Sequence, residues 1–546
     1  MNRRSTAVRA CWIHVPVCWC ALAALAPSVC LSQTFELSFS TYLSGSGRAN
    51  GARAVAVDAQ GNIYVSGGTS SPDFPTTPGA YDRTFDGSGT SAGNSGPMAA
   101  FVTKLSPNGK MIWSTLVGGP NHDRAYAIQV DGQGCVYIAG RAGQYFPTTA
   151  GALQPNFGGD VNPNVGYGKQ DGFITKLSAD GSQVLWSTYL GTQDRSFIRD
   201  MTLDGQGNVY VSMNQLSVAS PYVTAGAFQT THGGDMDSFV AKVTSDGTRV
   251  VWGSYLGGSG WDDAPSIRLD STGHVLVDGS TRSTNFPVTP GACQQTLRGS
   301  SDAFVAKFLP DGSDLVYGTY LGGSSDDGAA GKHGLAIDAA GNAYVVGSTM
   351  STDFPMGPGA FQTTNAGGFT GTWEQTGDRF IAKLSADGTQ LLASTYLGGS
   401  ARDGGEGIVV DEQGRVYLSG FTYSDGLPLT ADAIQTARGG LRDGTPFVLS
   451  ADFAQAVFSS YMGGRDEDNF RAIAIGPDGS FVIVGDTESA NWPVLNALQP
   501  SPGGGGNDVI VLKFTPVPEP ACMTALLAGA AAGLVVRRRR RRPATG

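Results

Sequence analysis

Cysteine is nearly absent from the body of this chain. Of seven, Cys11, Cys18, Cys20 and Cys30 fall in the first thirty residues and Cys522 sits in an apolar tail, leaving only Cys135 and Cys293. Neither has metal-ligand spacing to a second Cys or a His, which excludes a disulfide scaffold and a zinc site. Histidine is equally sparse: beyond residue 32 there are only His122, His232, His274 and His333, at unrelated positions, and no Ser/His/Asp or Cys/His order emerges. Basic residues are few between the ends. Setting aside Arg3, Arg4, Arg9, Arg537 to Arg542 and Glu519 leaves 27 basic against 45 acidic residues, a net of -18 for the centre, within a formal total of -10. Such a surface repels nucleic acid and suits cations or neutral polymers. Long helices are missing from the expected content as well, because 79 glycines and 28 prolines point to short strands joined by tight turns.

The two ends differ from the middle. Residues 1–32 read as a secretory signal, with Arg3, Arg4 and Arg9 followed by an apolar run from about Val15 to Leu25 and small residues before Gln33. A lipoprotein reading through Cys30 conflicts with Pro27, where Leu is expected. At the other end Pro518-Glu519-Pro520 precedes sixteen largely apolar residues, 521–536, and then Arg537, Arg538, Arg539, Arg540, Arg541 and Arg542. Sixteen residues rise about 24 Å as a helix, a short transmembrane span that flanking arginines extend by snorkelling. The basic end stays cytoplasmic and the body lies outside. This three-part tail, 517–546, resembles the PEP-CTERM sorting signal of Gram-negative bacteria. The resemblance implies an exosortase-type protease as a processing partner and a cell-envelope destination associated with exopolysaccharide.

Between the ends the sequence repeats. A phrase like STYLGG ends at Leu43, Val117, Leu190, Leu256, Leu321, Leu397 and Met462, at spacings of 74, 73, 66, 65, 76 and 65 residues. A second phrase, IAVDxxGNVYVxG, alternates apolar residues on both sides of a turn and keeps a glycine at Gly61, Gly134, Gly207, Gly273, Gly341, Gly414 and Gly479. A type I turn passing into a G1 bulge needs positive φ at that point, and the Asp three residues earlier can bond the turn amides. A third phrase, FVAKLSxDG, begins at Phe101, Phe173, Phe239, Phe304, Phe380 and Phe447, with Val509 to Phe514 as its last copy. Each repeat supplies four strands in two hairpins, and seven copies predict an all-β, seven-bladed β-propeller of four-stranded antiparallel blades over 33–516, followed by the transmembrane helix. The last repeat lacks a STYLGG strand while an unpartnered one, Phe35 to Leu43, stands at the start, so the N-terminal strand is expected to close the ring.

A loop phrase, FPTTPGAxQ, at Phe74, Phe146, Phe286 and Phe354, altered at Leu427 and Trp492, suits a rigid crossover. Its aromatic residues are expected to wedge between blades, the competing reading being carbohydrate stacking. The repeat resembles the SBBP family, a bacterial seven-bladed β-propeller repeat. That family lends no shared active site. Departures from the pattern are Ser220-Pro221-Tyr222 and Asp452-Phe453.

No cofactor is expected. Aspartates after STYLGG (Asp123, Asp194, Asp262, Asp263, Asp326, Asp327, Asp403, Asp466 and Asp468) could ring one face for a cation, but their drifting positions suit turn capping better. Calcium has one further foothold, Asp160-x-Asn162-x-Asn164-x-Gly166 with Asp171, in which the glycine is late, Pro163 intrudes and Asp replaces the bidentate Glu. The insertion 367–377, with Phe369 and Trp373, is a flexible decoration or a contact loop. The reading is an exported, non-catalytic envelope propeller binding extracellular polysaccharide or a surface protein, with membrane contact through its tail. Its competitor is a secreted polysaccharide lyase or hydrolase.

Overall fold

The computed structural model describes residues 33–518 apart from 91–92, 160–165, 217–218, 330–332 and 368–376. The expected signal, Glu519, Pro520, the span 521–536, Arg537 to Arg542, most of the calcium-like loop and most of the 367–377 insertion lie outside the described residues. Among the described residues no helix is long and apolar enough to cross a membrane.

The regular elements described are all strands, arranged as seven antiparallel sheets. Blades 1 to 6 cover 50–117, 124–190, 196–256, 262–321, 327–397 and 403–459 in chain order, each running from an inner first strand to an outer fourth. Blade 7 takes its inner three strands from 468–517 and its outer strand from Thr34–Tyr42. Thr34 pairs with Val517 and Tyr42 with Ile510, so the two ends of the propeller are zipped antiparallel. This closure leaves no unmatched sheet between blade 7 and blade 1.

Each blade is hidden between its neighbours, which explains why Ile63–Thr69, Val136–Ala142 and Val209–Gln215 are buried along their whole length. The seams are aromatic. Phe74, Phe146, Phe286 and Phe354 are all buried, with ring centroids 4.6, 4.3, 4.3 and 4.4 Å from the third-strand Phe101, Phe173, Phe304 and Phe380. These loop rings are packing elements, and the stacking face a sugar would need is covered. Trp492 takes the same role in blade 7, buried beside Phe470.

A second contact ties each outer strand to the next blade. Trp113, Trp186 and Trp252 donate from Nε1 to the carbonyls of Ala179, Ser245 and Pro310, at 3.1, 2.9 and 3.1 Å. The ring then lies on the Gly of the following Asp-Gly turn; at Gly388 a Cβ would fall 2.3 Å from the Tyr317 ring. Blade 5 has Ala393 in place of this aromatic, and there the next turn carries Phe453 at φ 62° instead of glycine, fully buried. Phe453 N–H still donates to Ser450 O at 2.9 Å, so the turn is kept and the ring comes from the opposite side of the seam.

The turn between first and second strands is equally regular. Gly61, Gly134, Gly207, Gly273, Gly341, Gly414 and Gly479 have φ between 75 and 86°. Asp58 accepts from the amides of Gln60 and Asn62 at 3.0 and 2.8 Å and from the Tyr64 hydroxyl at 3.0 Å, and the same pattern recurs at Asp131, Asp204, Asp338 and Asp411. These aspartates are saturated by turn and blade.

Candidate functional site

Residues that break the repeat gather at the ring axis. The inner strand of six blades carries a β-bulge, at Arg53, Tyr126, Arg199, Ala264-Pro265, Glu406 and Arg471. A bulge inserts an unpaired residue and re-aims its side chain. Here it adds residues of varied chemistry at equivalent places, and Arg199, Pro265, Glu406 and Arg471 line a central cavity. Two residues before the bulge, each inner strand pairs with the second strand: Gly51 with Gly68, Arg124 with Arg141, Phe197 with Asn214, Asp263 with Ser280, Gly404 with Phe421, Asn469 with Asp486. At one level of the ring these six blades thus carry six different pairs where they are otherwise alike.

The cavity is a cup of about 530 Å³ at the end where the chain enters each first strand. Its wall combines Phe197, Trp261 and Phe421 with Arg199, Arg402 and Arg471. Trp261 is 38% exposed, whereas Trp113, Trp186, Trp252 and Trp492 are buried. The guanidinium of Arg402 lies 4.8 Å and that of Arg442 5.2 Å from the Phe421 ring centroid, and Arg442 pairs with Glu467 at 2.9 Å. Deeper in, His333 reaches across from blade 5: its Nε2 lies 3.0 Å from Arg53 O and 3.1 Å from Tyr126 O, and its Nδ1 3.3 Å from Asp200. One side chain therefore links four blades.

Charge in the channel is mostly paired. Arg471 contacts Glu406 at 2.9 Å and Asp486 at 3.0 Å, Arg53 reaches Asp486 at 3.5 Å, Arg268 meets Asp200 at 2.5 Å and Arg199 meets Asp263 at 3.5 Å. Burial acts to raise the Asp486 carboxyl, but Arg471 and Arg53 outweigh it and hold it well below the usual range. Asp278, buried with Asp200 and Asp263 nearby, goes the other way, to about 7, chiefly through burial.

The aspartates after STYLGG do not make an open acidic ring. Asp123, Asp262, Asp327, Asp403 and Asp468 are buried and accept from the amides of Gly119, Gly258, Gly323, Gly399 and Gly464, four residues upstream, at 2.5 to 2.8 Å. Of this group Asp263, Asp326 and Asp327 reach the cup. Asp171 opens a third strand, where it accepts from the Gly158 amide at 2.6 Å and Gln154 Nε2 at 3.4 Å. Among the described residues no group of three or more His, Cys, Asp or Glu is arranged to hold a metal ion. The histidines are dispersed: His122 is buried beside Tyr167 and pushed down to about 3 by burial and Arg141, while His274 sits in a turn with Asp270. Cys135 and Cys293 are free thiols.

Two features escape a linear reading. The Gln ending the loop phrase is a hub: Gln294 Nε2 donates to Asp302 at 2.7 Å, its Oε1 accepts from Gly322 N–H at 3.0 Å, and its own amide donates to Thr319. Gln229, Gln362 and Gln435 repeat this at their own seams. Gly322 sits there between Asp302 and Asp327, with an added Cβ only 2.6 and 2.9 Å from their oxygens, which accounts for the glycine that six of the seven copies keep at this place, Ser44 standing in the first. The channel pairs are the other feature, visible only when repeats are aligned by strand register.

A family model described as a β-propeller repeat, SBBP, matches residues 185–212 and 316–355. The chain carries repeats of this kind. Both SBBP-matched stretches start in a fourth strand and run into the second strand of the next blade, so the sequence repeat is offset from the blade, and that offset is what lets the N-terminal strand complete blade 7. Regulatory protein FlaEY of Caulobacter vibrioides is 24% identical over 267 residues, 46% of this chain and 26% of that protein, so the match spans about a quarter of its relative's length. Solved structures of similar fold include a quinohemoprotein alcohol dehydrogenase of Pseudomonas putida (TM-score 0.39, 11% identity, 89% of this chain and 78% of that one). Another is a polysaccharide lyase, an ulvan lyase (TM-score 0.40, 11% identity, 81% and 92%). A third is a protein of unknown function from Dyadobacter fermentans (TM-score 0.37, 12% identity, 88% and 99%).

Proposed function

We propose that this chain is an exported, envelope-associated propeller that binds extracellular polysaccharide in the cup at its axis and performs no chemistry on it. The carrying observation is the wall of that cup, where exposed Trp261 stands with Phe197 and Phe421 among Arg199, Arg402 and Arg471. Aromatic faces stack on sugar rings and guanidinium groups donate to hydroxyl and acidic oxygens, and here both are held by blades rather than by loops alone. Address supports the reading: the signal-like 1–32 and the tail resembling a PEP-CTERM signal would deliver the propeller to the surface, with an exosortase-type protease cutting near Pro520. Exopolysaccharide from the native organism should be retained by the purified chain and lost on Trp261→Ala; retention of no polymer would end this reading. Intact mass of the envelope form should lack Arg537 to Arg542, whereas a full-length mass would contradict processing.

A second reading, an enzyme that cleaves polysaccharide, draws on Tyr167. Its ring lies 5.2 Å from His122 and 3.9 Å from the Arg141 guanidinium. Burial pushes the phenol up, yet Arg141, Arg124 and Arg53 hold it below its ordinary value, as a proton-abstracting group requires. Release of new chain ends from acidic polysaccharide, abolished by Tyr167→Phe, would favour the enzyme.

A further inference from the structure

Arg124 and Arg141 differ from Arg53, Arg199, Arg268 and Arg471, the channel arginines that pair with carboxylates. Arg124 and Arg141 are direct cross-strand partners on the first and second strands of blade 2, where like charges repel. Neither forms an ion pair among the described residues. Arg141 is only 8% exposed and donates to Gln170 Oε1, a neutral amide, at 3.1 Å. The Nε of each has no hydrogen-bond partner. Buried charge without a counter-charge is among the costliest arrangements in a fold, and its retention calls for a reason.

The surroundings hold the pair in place. Arg141 is stacked 3.9 Å from the Tyr167 centroid and 4.9 Å from that of Tyr126, which fixes its plane. On blade 1 the facing positions are Gly51 and Gly68, where a Cβ would lie 3.1 Å from Arg124 Nη2 and 3.0 Å from Arg124 Cγ. The two glycines make room for the Arg124 side chain, and Met98 Sδ packs on Gly68 beside it, 2.4 Å from where a Cβ would stand. The nearby Asp486 is already engaged by Arg471 and Arg53. Arg141 also lies 5.8 Å from the Phe197 ring, which lines the cup, so it stands directly behind that wall.

We propose that Arg124 and Arg141 together bind an acidic group, the carboxylate or sulfate of an anionic glycan whose neighbouring sugars occupy the cup. This rests on the polysaccharide reading above and names the class of polymer. The exterior, with its excess of acidic residues, repels such a polymer everywhere else, so the channel selects by charge as well as by shape. Supporting signs come from titration: burial lowers both guanidiniums, Arg141 further through Arg124, and Tyr167 is drawn toward supplying the missing negative charge.

The test is calorimetric titration of the full chain in detergent with an oligouronate, a sulfated oligosaccharide, a neutral oligosaccharide of equal length and inorganic sulfate, alongside thermal melts. We expect at least tenfold tighter binding of an acidic than of the neutral oligosaccharide, loss of that preference in Arg124→Gln and Arg141→Gln, and a higher melting temperature for both variants without ligand. Sulfate should raise the melting temperature of the wild type only. Equal binding of acidic and neutral oligosaccharides, unaffected by either substitution, would overturn the anion site and leave the polysaccharide reading standing. Sulfate stabilisation that depends on Arg124 and Arg141, with no oligosaccharide bound, would keep the anion site and remove the polysaccharide. Variants that melt lower than wild type and bind acidic oligosaccharide as tightly would show the pair to be structural and refute the proposal.

Discussion

The seams between blades and the channel they enclose are made from the same strands and obey opposite rules. At the seams the same chemistry recurs: a loop phenylalanine on a third-strand phenylalanine, a Gln bridging two chain segments, an outer aromatic on the next turn. In the channel the same register position holds two glycines in blade 1, two arginines in blade 2 and an Asp/Ser pair in blade 4. Uniformity marks what every blade must do to stay in the ring; variation marks what only one ring position must do. Function is therefore sought where the repeat fails at the axis, and stability where it holds.

That contrast can be broken most forcefully at a seam. Phe380→Ala removes a buried ring stacked on Phe354 and should cost about 3–5 kcal/mol, read by urea unfolding, with glycan binding unchanged in the fraction that stays folded. Phe453→Gly should cost less, about 2 kcal/mol, because the lost burial is partly offset by relief of the left-handed conformation. With Ala393→Trp in the background that cost should shrink, since the ring then returns from the side used in blades 1 to 3; an undiminished cost would show that the seam does not exchange aromatics in this way.

The buried seam carboxylates give a pH signature. Asp123, Asp327, Asp378 and Asp468 are each raised to about 7, foremost by burial, as is Asp278 in the channel. The folded state then holds more protons than the unfolded one between about pH 4 and pH 7, so stability falls as pH rises through that window. Lowered groups such as Asp58, Asp200 and Asp338 act in the opposite sense, losing stability only as pH drops below about 4. Melting temperature should peak in mildly acid solution, and Asp378→Asn should flatten the decline toward pH 8. The smallest stability effect belongs to the channel: Trp261→Ala should change unfolding free energy by about 0.5 kcal/mol or less, since the residue is partly exposed, while removing glycan retention.

Blade number, strand count and closure were legible because each follows from the order of short phrases, and a fourth-strand phrase left over at one end and missing at the other can only be joined. The packing of Phe74 and its equivalents followed from the same regularity. The axis was not legible, for two reasons. A bulge shifts register by one, so Arg53 and Arg199 fall out of step with the alternation that predicts facing, and His333 acts on Arg53, Tyr126 and Asp200, which are far from it in the chain. Composition was silent on direction as well: a net of -18 for the central chain does not tell that the fold turns Arg53, Arg124, Arg141, Arg199 and Arg471 inward. Charge totals carry no direction, and the channel collects what the surface lacks.

The most direct measurement is a structure of the chain with an acidic oligosaccharide. The account predicts sugar density in the cup against Trp261 and Phe421, with an acidic group between Arg124 and Arg141. Density on the outer strands, or an empty channel with the oligosaccharide bound elsewhere, would contradict it.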